Sequence, residues 1–424
     1  MATAKTADAG LRGALALALA GLLLLLSGCA GDQVTEAQQD RPPRTLEPVF
    51  DGVPALPPAD MSGDGPGTLV DAQPLQFMES FDQISAAAVK MTYRSTSGLD
   101  GRPTEVSGVV VVPAGPPPRG GWPVLAVGHI LTGIIPQCAP SLAAELGGYA
   151  SILSVFASKG YVVAMSDYEG LGVDGLQHLP LQAATLGNNL IDSVRAARRI
   201  VPTASDRWAA YGIGEGGLAA WAAADLASTY GEGTQMVGAV ALSPYANMSG
   251  MAEAAAAETL PREQYYLYLS VLQSLSNAPP QFDISEYTTP FARESVDVTG
   301  KCAPLDVKSL ADAAAALSPA DIRPRSDAAV AQFRDQIGSS AVPLATSGPA
   351  APVLVVYATE DPSVSAQSIA DAARTACQRG NPVEVNRRVG DANTSNDLVT
   401  QLSLGWLEQR FDGQALADPC VGVT

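Results

Sequence analysis

Arg207-Trp208-Ala209-Ala210-Tyr211-Gly212-Ile213-Gly214-Glu215-Gly216-Gly217 is the stretch that decides how this chain is read. A short β-leaning run meets a glycine cluster, and Leu218 to Tyr230 continues as an alanine-rich helical stretch. Strand, tight turn and helix in that order is the layout of a nucleophile elbow, G-x-S-x-G, in which a serine sits on a strained turn. Gly212 and Gly216 stand where that motif has its glycines, and Gly214 stands where it has serine. Glycine brings no hydroxyl, and it relieves the unfavourable backbone angles of the position. An ordinary glycine-rich turn reads the same way in isolation, so the rest of the chain has to decide.

Around this stretch the pattern is strand–helix–strand. Ala88 to Ser95, Thr104 to Pro113 and Pro123 to Gly128 are apolar strands separated by Leu99-Asp100-Gly101 and Pro116-Pro117-Pro118. A helix over Leu146–Lys159, a buried strand over Tyr161–Ser166 and an amphipathic helix over Leu186–Ile200 follow. After the elbow come a strand over Val237–Leu242, a core strand over Pro352–Tyr357, a helix over Ser365–Arg379, a strand over Val383–Val389 and a closing helix over Leu398–Phe411. Such alternation predicts an α/β fold, a mostly parallel sheet with helices on both faces. Met251 to Arg323 interrupts it with helical segments such as Arg262 to Leu275 and no buried strand, and reads as an inserted helical cap. The face Tyr265, Tyr266, Leu269 and Leu272 is expected to be cap core rather than a lipid-binding surface.

The N-terminus reads as a bacterial export signal. Lys5 and Arg12 precede an apolar run, Ala14 to Leu26, that is too short for an ordinary membrane-spanning helix. Leu26-Ser27-Gly28-Cys29 resembles a lipobox, which predicts cleavage after residue 28 and acylation of Cys29. An ordinary signal peptide with a chance cysteine is the alternative. Residues 29–56 read as a lipidated flexible tether, 57–250 and 324–424 as the core, and 251–323 as the cap. With 43 acidic against 25 basic residues, net charge −18, the chain is not built to bind nucleic acid or to dock electrostatically on anionic lipid. Membrane attachment then rests on the acyl anchor. Cys138, Cys302, Cys377 and Cys420 remain after lipidation, and in an exported protein they predict two disulfides out of three possible pairings. The expected scheme is Cys138–Cys302 and Cys377–Cys420. The absence of a CxxC pair argues against a zinc site, and nothing in the sequence calls for a metal or cofactor.

Several further segments carry a family resemblance. Gly128-His129-Ile130-Leu131-Thr132-Gly133 resembles the G-H-G-T-T-G loop of the secretory lipases, fungal and bacterial α/β-hydrolases with a helical cap, and Cys138-Ala139-Pro140-Ser141 follows it as in that family. Ser166-Asp167-Tyr168-Glu169-Gly170-Leu171-Gly172, with His178 shortly after, resembles its D-Y-x-G-L-G loop. Asp192 to Ala197 matches the helix before the elbow, and Trp406 to Gly413 with Cys420 resembles the C-terminal W-x-x-x-R-F-x-G…C ending. The resemblance runs from about Pro57 to the C-terminus and implies triacylglycerol or carboxylic-ester hydrolysis by a Ser–Asp–His triad, in lipid catabolism.

Carried over residue by residue, that triad is incomplete. Gly214 takes the nucleophile position, Asp361 the acid position (Glu360 beside it is a weaker match), and the loop after Val389 has no histidine. The chain's two histidines, His129 and His178, both precede the elbow, and His178 is expected to be structural rather than a relocated base. The resemblance implies oxyanion donors at Glu215 and Asp167; Glu215 replaces a usual glutamine, and a carboxylate beside a developing oxyanion opposes its charge. The sequence therefore predicts an exported, membrane-anchored envelope lipoprotein that is a degenerate hydrolase with a retained lipid- or ester-binding pocket. An active esterase rewired through Asp167, Glu215, Asp361 or Ser243 is the alternative, and an envelope protein with a filled pocket is the third.

Overall fold

Uninterrupted apolar runs such as Val162–Ser166 and Val353–Ala358, bracketed by glycine and proline, can be satisfied only as strands buried on both faces. The computed structural model describes residues 41–47, 53, 55–75, 78–277, 282–298, 301–303, 307–345, 348, 350–390 and 396–423. The export signal, Cys29 and most of the tether lie outside the described residues, as does 391–395 of the loop after the last strand. Among the described residues no helix is long and apolar enough to cross a membrane.

The strands are β1 (Leu69–Pro74), β2 (Ala87–Thr96), β3 (Pro103–Val112), β4 (Trp122–Gly128), β5 (Val162–Ser166), β6 (Ala204–Ile213), β7 (Gln235–Leu242), β8 (Val353–Ala358) and β9 (Val383–Arg388). They form one sheet in the order β1-β2-β3-β5-β4-β6-β7-β8-β9. β1, β2 and β3 pair antiparallel, β3 meets β5 antiparallel, and every pairing from β5 to β9 is parallel. The expected α/β-hydrolase architecture is what the chain adopts. β2 alternates buried and half-buried residues along its whole length, as an antiparallel strand covered on one face should, whereas β5 and β8 are buried throughout.

Helices α1 (Ala150–Ser158), α2 (Ala183–Ile200) and α3 (Glu215–Leu226) connect the parallel strands. α3 is wedged between the sheet and α2, with Glu215 to Asp225 all buried. That position explains its composition: where α2 and α3 cross, a Cβ on Gly187 would lie 3.0 Å from the backbone of Ala222 and Ala223, so small residues are needed on both sides. Asp192 on α2 accepts from the hydroxyls of Ser95 on β2 (2.8 Å) and Tyr230 (2.7 Å) and from Arg195 (2.7 Å), tying the helix to the sheet.

The cap comprises α4 (Met251–Ala256), α5 (Tyr265–Asn277), α6 (Pro290–Ser295) and α7 (Val307–Ala316). Tyr265, Leu269 and Leu272 are buried as expected of cap core, while Tyr266 is partly exposed and Tyr268 is buried in its stead. Helical structure continues past Arg323: α8 (Asp327–Gly338) packs on α4, and its Phe333 stacks among Tyr268 and Tyr287 of the cap. The next strand of the sheet begins at Val353, after α8. α9 (Ala366–Gln378) and α10 (Asp397–Phe411) complete the fold.

Two further elements differ from the sequence reading. The helix expected over Leu146–Lys159 begins at Ala150, because Glu145, Leu146 and Gly147 take left-handed backbone angles at a Gly147-Gly148 pair. β1 carries no strand signal of its own; Leu69-Val-Asp-Ala-Gln-Pro is short and ends in proline, and it is a strand because β2 offers it an edge.

The disulfides are Cys138–Cys302, from the loop after β4 to the cap, and Cys377–Cys420, from α9 to the C-terminal tail. Closing loops of 164 and 43 residues restricts the unfolded chain. Replacing Cys377 and Cys420 with alanine is expected to lower the unfolding free energy by about 2–4 kcal/mol, read from denaturant titration. Recovery of Cys138 linked to Cys377 in a non-reducing peptide map would overturn the pairing.

Candidate functional site

β6 ends at Ile213, α3 begins at Glu215, and Gly214 alone makes the turn between them, at φ 59 and ψ −115. That conformation is strained for any residue with a side chain. The turn is held closed by the Gly214 N–H donating to Leu242 O at the end of β7 (2.9 Å) and by Tyr245 N–H donating to Gly214 O (3.1 Å). Gly216 is forced by close approach: a Cβ there would lie 2.1 Å from Gly128 O on β4. The Gly212–Gly217 segment is thus a strand-to-helix elbow at the carboxyl edge of the parallel sheet.

No side chain projects at residue 214, and the space beside it is tight. A Cβ on Gly214 would meet the Tyr245 ring at 3.3 Å and its hydroxyl oxygen at 3.5 Å. Burial, followed by the charges of Glu215 and Asp361, pushes the Tyr245 hydroxyl far above its ordinary titration range, so it stands there as a neutral phenol. Tyr245 was not singled out from the sequence; its only signal is the turn Ser243-Pro244 before it, with Ser243 at φ 37.

Glu215 is wholly buried. Its Oε1 accepts from Leu181 N–H (3.2 Å) and lies 3.3 Å from His178 Nε2; its Oε2 has no hydrogen-bond partner. His178 Nδ1 faces the Glu169 carbonyl at 3.0 Å. Burial alone would depress the imidazole's pKa, but the Glu215 carboxylate and the Glu169 carbonyl outweigh it and hold the ring above its usual value. The backbone around His178 is also engaged: its N–H donates to Ile134 O (3.0 Å), and its carbonyl accepts from Ser274 Oγ on α5 (2.7 Å). Glu215 therefore grips the 169–181 loop, and that loop grips the cap.

His129 has its Nδ1 2.6 Å from Ile130 O and its Nε2 3.2 Å from Asp167 O, with the Tyr168 ring 4.3 Å away centre to centre. Burial lowers its pKa, so the neutral ring dominates there. Asp167 is tied into the scaffold. Its N–H donates to Ser107 O (2.9 Å), and its carboxylate accepts from Ser107 Oγ (2.6 Å) and Ser141 N–H (2.9 Å). The backbone donor that the resemblance assigned to this residue is therefore already occupied.

Asp361 lies on the loop after β8, at the same sheet edge as the elbow but beyond β7. Its Oδ1 accepts from Ser363 N–H (2.8 Å). Each ring nitrogen of both histidines has a partner other than Asp361, so the fold supplies no Asp–His pair at the acid position. Asp361 lines a cavity of about 700 Å³ between the start of the cap and α9, bordered by Met248, Met251, Gln264, Val342 and Val364. Among the described residues no three His, Cys, Asp or Glu side chains converge as metal ligands.

The His178–Glu215 pair sets a pH dependence. A histidine whose folded pKa is raised adds stability that is fully present below its unfolded value near 6.5 and is lost as pH rises through the folded value. Glu215→Gln is expected to lower stability by about 3–5 kcal/mol at pH 6 and to flatten the pH 6–8 dependence, measured by urea unfolding. An unchanged pH profile would show that the pair is not ionised.

The secretory lipase family model matches residues 149–419. A Mycobacterium tuberculosis protein described as "Probable inactive lipase" is 26% identical over 394 residues, covering 87% of this chain and 84% of that protein. Candida antarctica lipase A in its closed state superposes with a TM-score of 0.66 at 17% identity, covering 84% of each chain. A Legionella pneumophila protein described as a putative hydrolase gives 0.64 at 19% identity, over 82% of this chain and 99% of its own. The rice cell wall degrading esterase of Xanthomonas oryzae gives 0.61 at 19% identity, over 83% and 100%. With the elbow, the sheet order and the cap already in place, the family match settles the assignment: this chain belongs to the secretory lipase family.

Proposed function

We propose that this protein is a non-hydrolysing secretory lipase relative, anchored to the bacterial cell envelope through acylated Cys29, that retains a cavity for a lipid or ester ligand. The observation that carries the reading is the elbow itself: Gly214 has no side chain, and a Cβ there would already crowd the Tyr245 ring at 3.3 Å. A serine mechanism needs a hydroxyl, a base to take its proton and a carboxylate to orient the base, and loss of one member costs orders of magnitude in rate. Here the acid position keeps Asp361, and neither histidine is available to it. Buried Glu215 puts negative charge next to the site where an oxyanion would form. The relative described as a probable inactive lipase supports the same reading, and the lipobox at Leu26–Cys29 supports the anchor.

A rewired esterase is the second reading, and the His178–Glu215 pair beside the elbow is the observation in its favour. Against it, both nitrogens of His178 are engaged, which leaves none to deprotonate Ser243 or a water molecule.

The purified mature protein is expected to show no turnover of p-nitrophenyl esters above a heat-killed control and no labelling by a serine-directed fluorophosphonate. Gly214→Ser alone should not restore activity, since the new hydroxyl would lack a base and meet Tyr245. Turnover by the unmodified protein that disappears in Ser243→Ala or His178→Ala would replace this reading with the rewired esterase.

Localisation has its own test. Cys29→Ala should leave unprocessed or released protein in cell fractionation, because an acidic body has no electrostatic hold on anionic lipid. Normal processing and membrane retention of that variant would remove the anchor from the proposal.

A further inference from the structure

We infer that the cavity beside Asp361 selects a single-chain amphiphile with a cationic ammonium head and excludes fatty-acid anions; this rests on the ligand-binding reading above. The charge balance of the walls decides it. Three charged side chains line the cavity: Asp361, Asp371 and Arg379. Asp371 is answered by Arg374 and by Gln367 Nε2 at 2.9 Å. Arg379 is turned to the backbone, its Nη1 donating to Pro343 O at 2.7 Å and Leu344 O at 3.4 Å, and its charge also serves buried Asp225. Asp361 is different. Its one recorded hydrogen bond is to the Ser363 N–H, and among the described residues no cation lies within ion-pair distance of it.

The carboxylate of the old acid position is thus half-buried at a cavity wall without the imidazolium that it would orient in a hydrolase. A half-desolvated carboxylate attracts an ammonium group and repels a second carboxylate far more strongly than it would in water. The net charge of −18 adds a field of the same sign. The facing wall suits an alkyl tail: Met248, Met251, Ala254, Val342 and Val364 present apolar surface, and the two methionines can adapt to an unbranched chain. About 700 Å³ holds an eight-carbon chain and its head with room to spare.

The test uses the mature chain in phosphatidylcholine nanodiscs, with empty discs as blank. It is titrated calorimetrically with octyltrimethylammonium, octanoate and 1-octanoylglycerol. The cation should bind at least about 10-fold tighter than octanoate. Asp361→Asn should erase that preference while leaving octanoylglycerol within about 2-fold. Ser368→Trp, which pushes an indole into the cavity from α9, should weaken all three, with a thermal melt showing both variants folded. Octanoate binding as tightly as the cation, or a cation preference that survives Asp361→Asn, overturns the inference. Octanoylglycerol binding without a cation preference does so while leaving the ligand-binding reading intact. Binding of none of the three removes that reading and the inference together. Undiminished binding in Ser368→Trp places the ligand elsewhere and overturns the assignment of this cavity.

Discussion

The contact on which the site depends is backbone against backbone. Gly128 at the end of β4, Gly212 near the end of β6 and Gly216 in the first turn of α3 are so close that a Cβ on Gly212 would lie 2.1 Å from Gly216 O. This approach lets α3 start directly over the sheet edge and forces the chain to turn within one residue. In a hydrolase the strain of such a turn is tolerated because it aims a nucleophile. Here the approach persists with glycine at the turn, so the elbow remains while the reason for its strain has gone. Restoring a side chain at 214 would restore the conformational penalty and add a contact with Tyr245.

The glutamate at position 215 has a structural use. A carboxylate in the first turn of a helix interacts favourably with the helix dipole, and pairing with His178 answers its charge in a site without solvent. The pair then connects the elbow to the cap through the His178 carbonyl to Ser274, and to the loop after β4 through His178 N–H to Ile134. Glu215 is thus the link that holds the cap's approach loop. A buried pair of this kind specifies geometry more than it adds stability, since desolvation consumes much of its attraction.

How much of this was legible in the sequence follows the range of each interaction. The strands from β4 to β8, the glycine elbow and the cap's helical character came from local periodicity and turn residues, and the structure has them within a few residues of the expected bounds. Both disulfides were expected from four cysteines in an exported chain, and their pairing agrees. What could not be read was set by partners far away in sequence. His178 meets Glu215 across 37 residues, and nothing near either position marks it. Tyr245 reaches the elbow from the next strand's loop, and β1 is a strand only because β2 is beside it. Helix α8 was not expected as a separate element because, with Ala329, Phe333 and Ile337 as its only buried residues, it carries a weak apolar pattern of its own.

The buried carboxylates show by contrast why Asp361 matters. Asp167 has the Ser107 hydroxyl and the Ser141 N–H, and Asp192 has Ser95, Tyr230 and Arg195. Glu215 has Leu181 and His178, and Asp225 has the Leu344 N–H, with Asn381 at 3.4 Å. As the cost of an uncompensated charge leads one to expect, each of these buried acids has a partner on at least one oxygen, although Glu215 Oε2 has none. Even so, burial lifts the Asp225 pKa to about 7. Asp361 escapes this cost by bordering a cavity instead of the core. A carboxylate without a nearby cation is tolerated in that position because solvent can hydrate it or a cationic ligand can pair with it. The proposed role of this cavity rests on that unanswered charge.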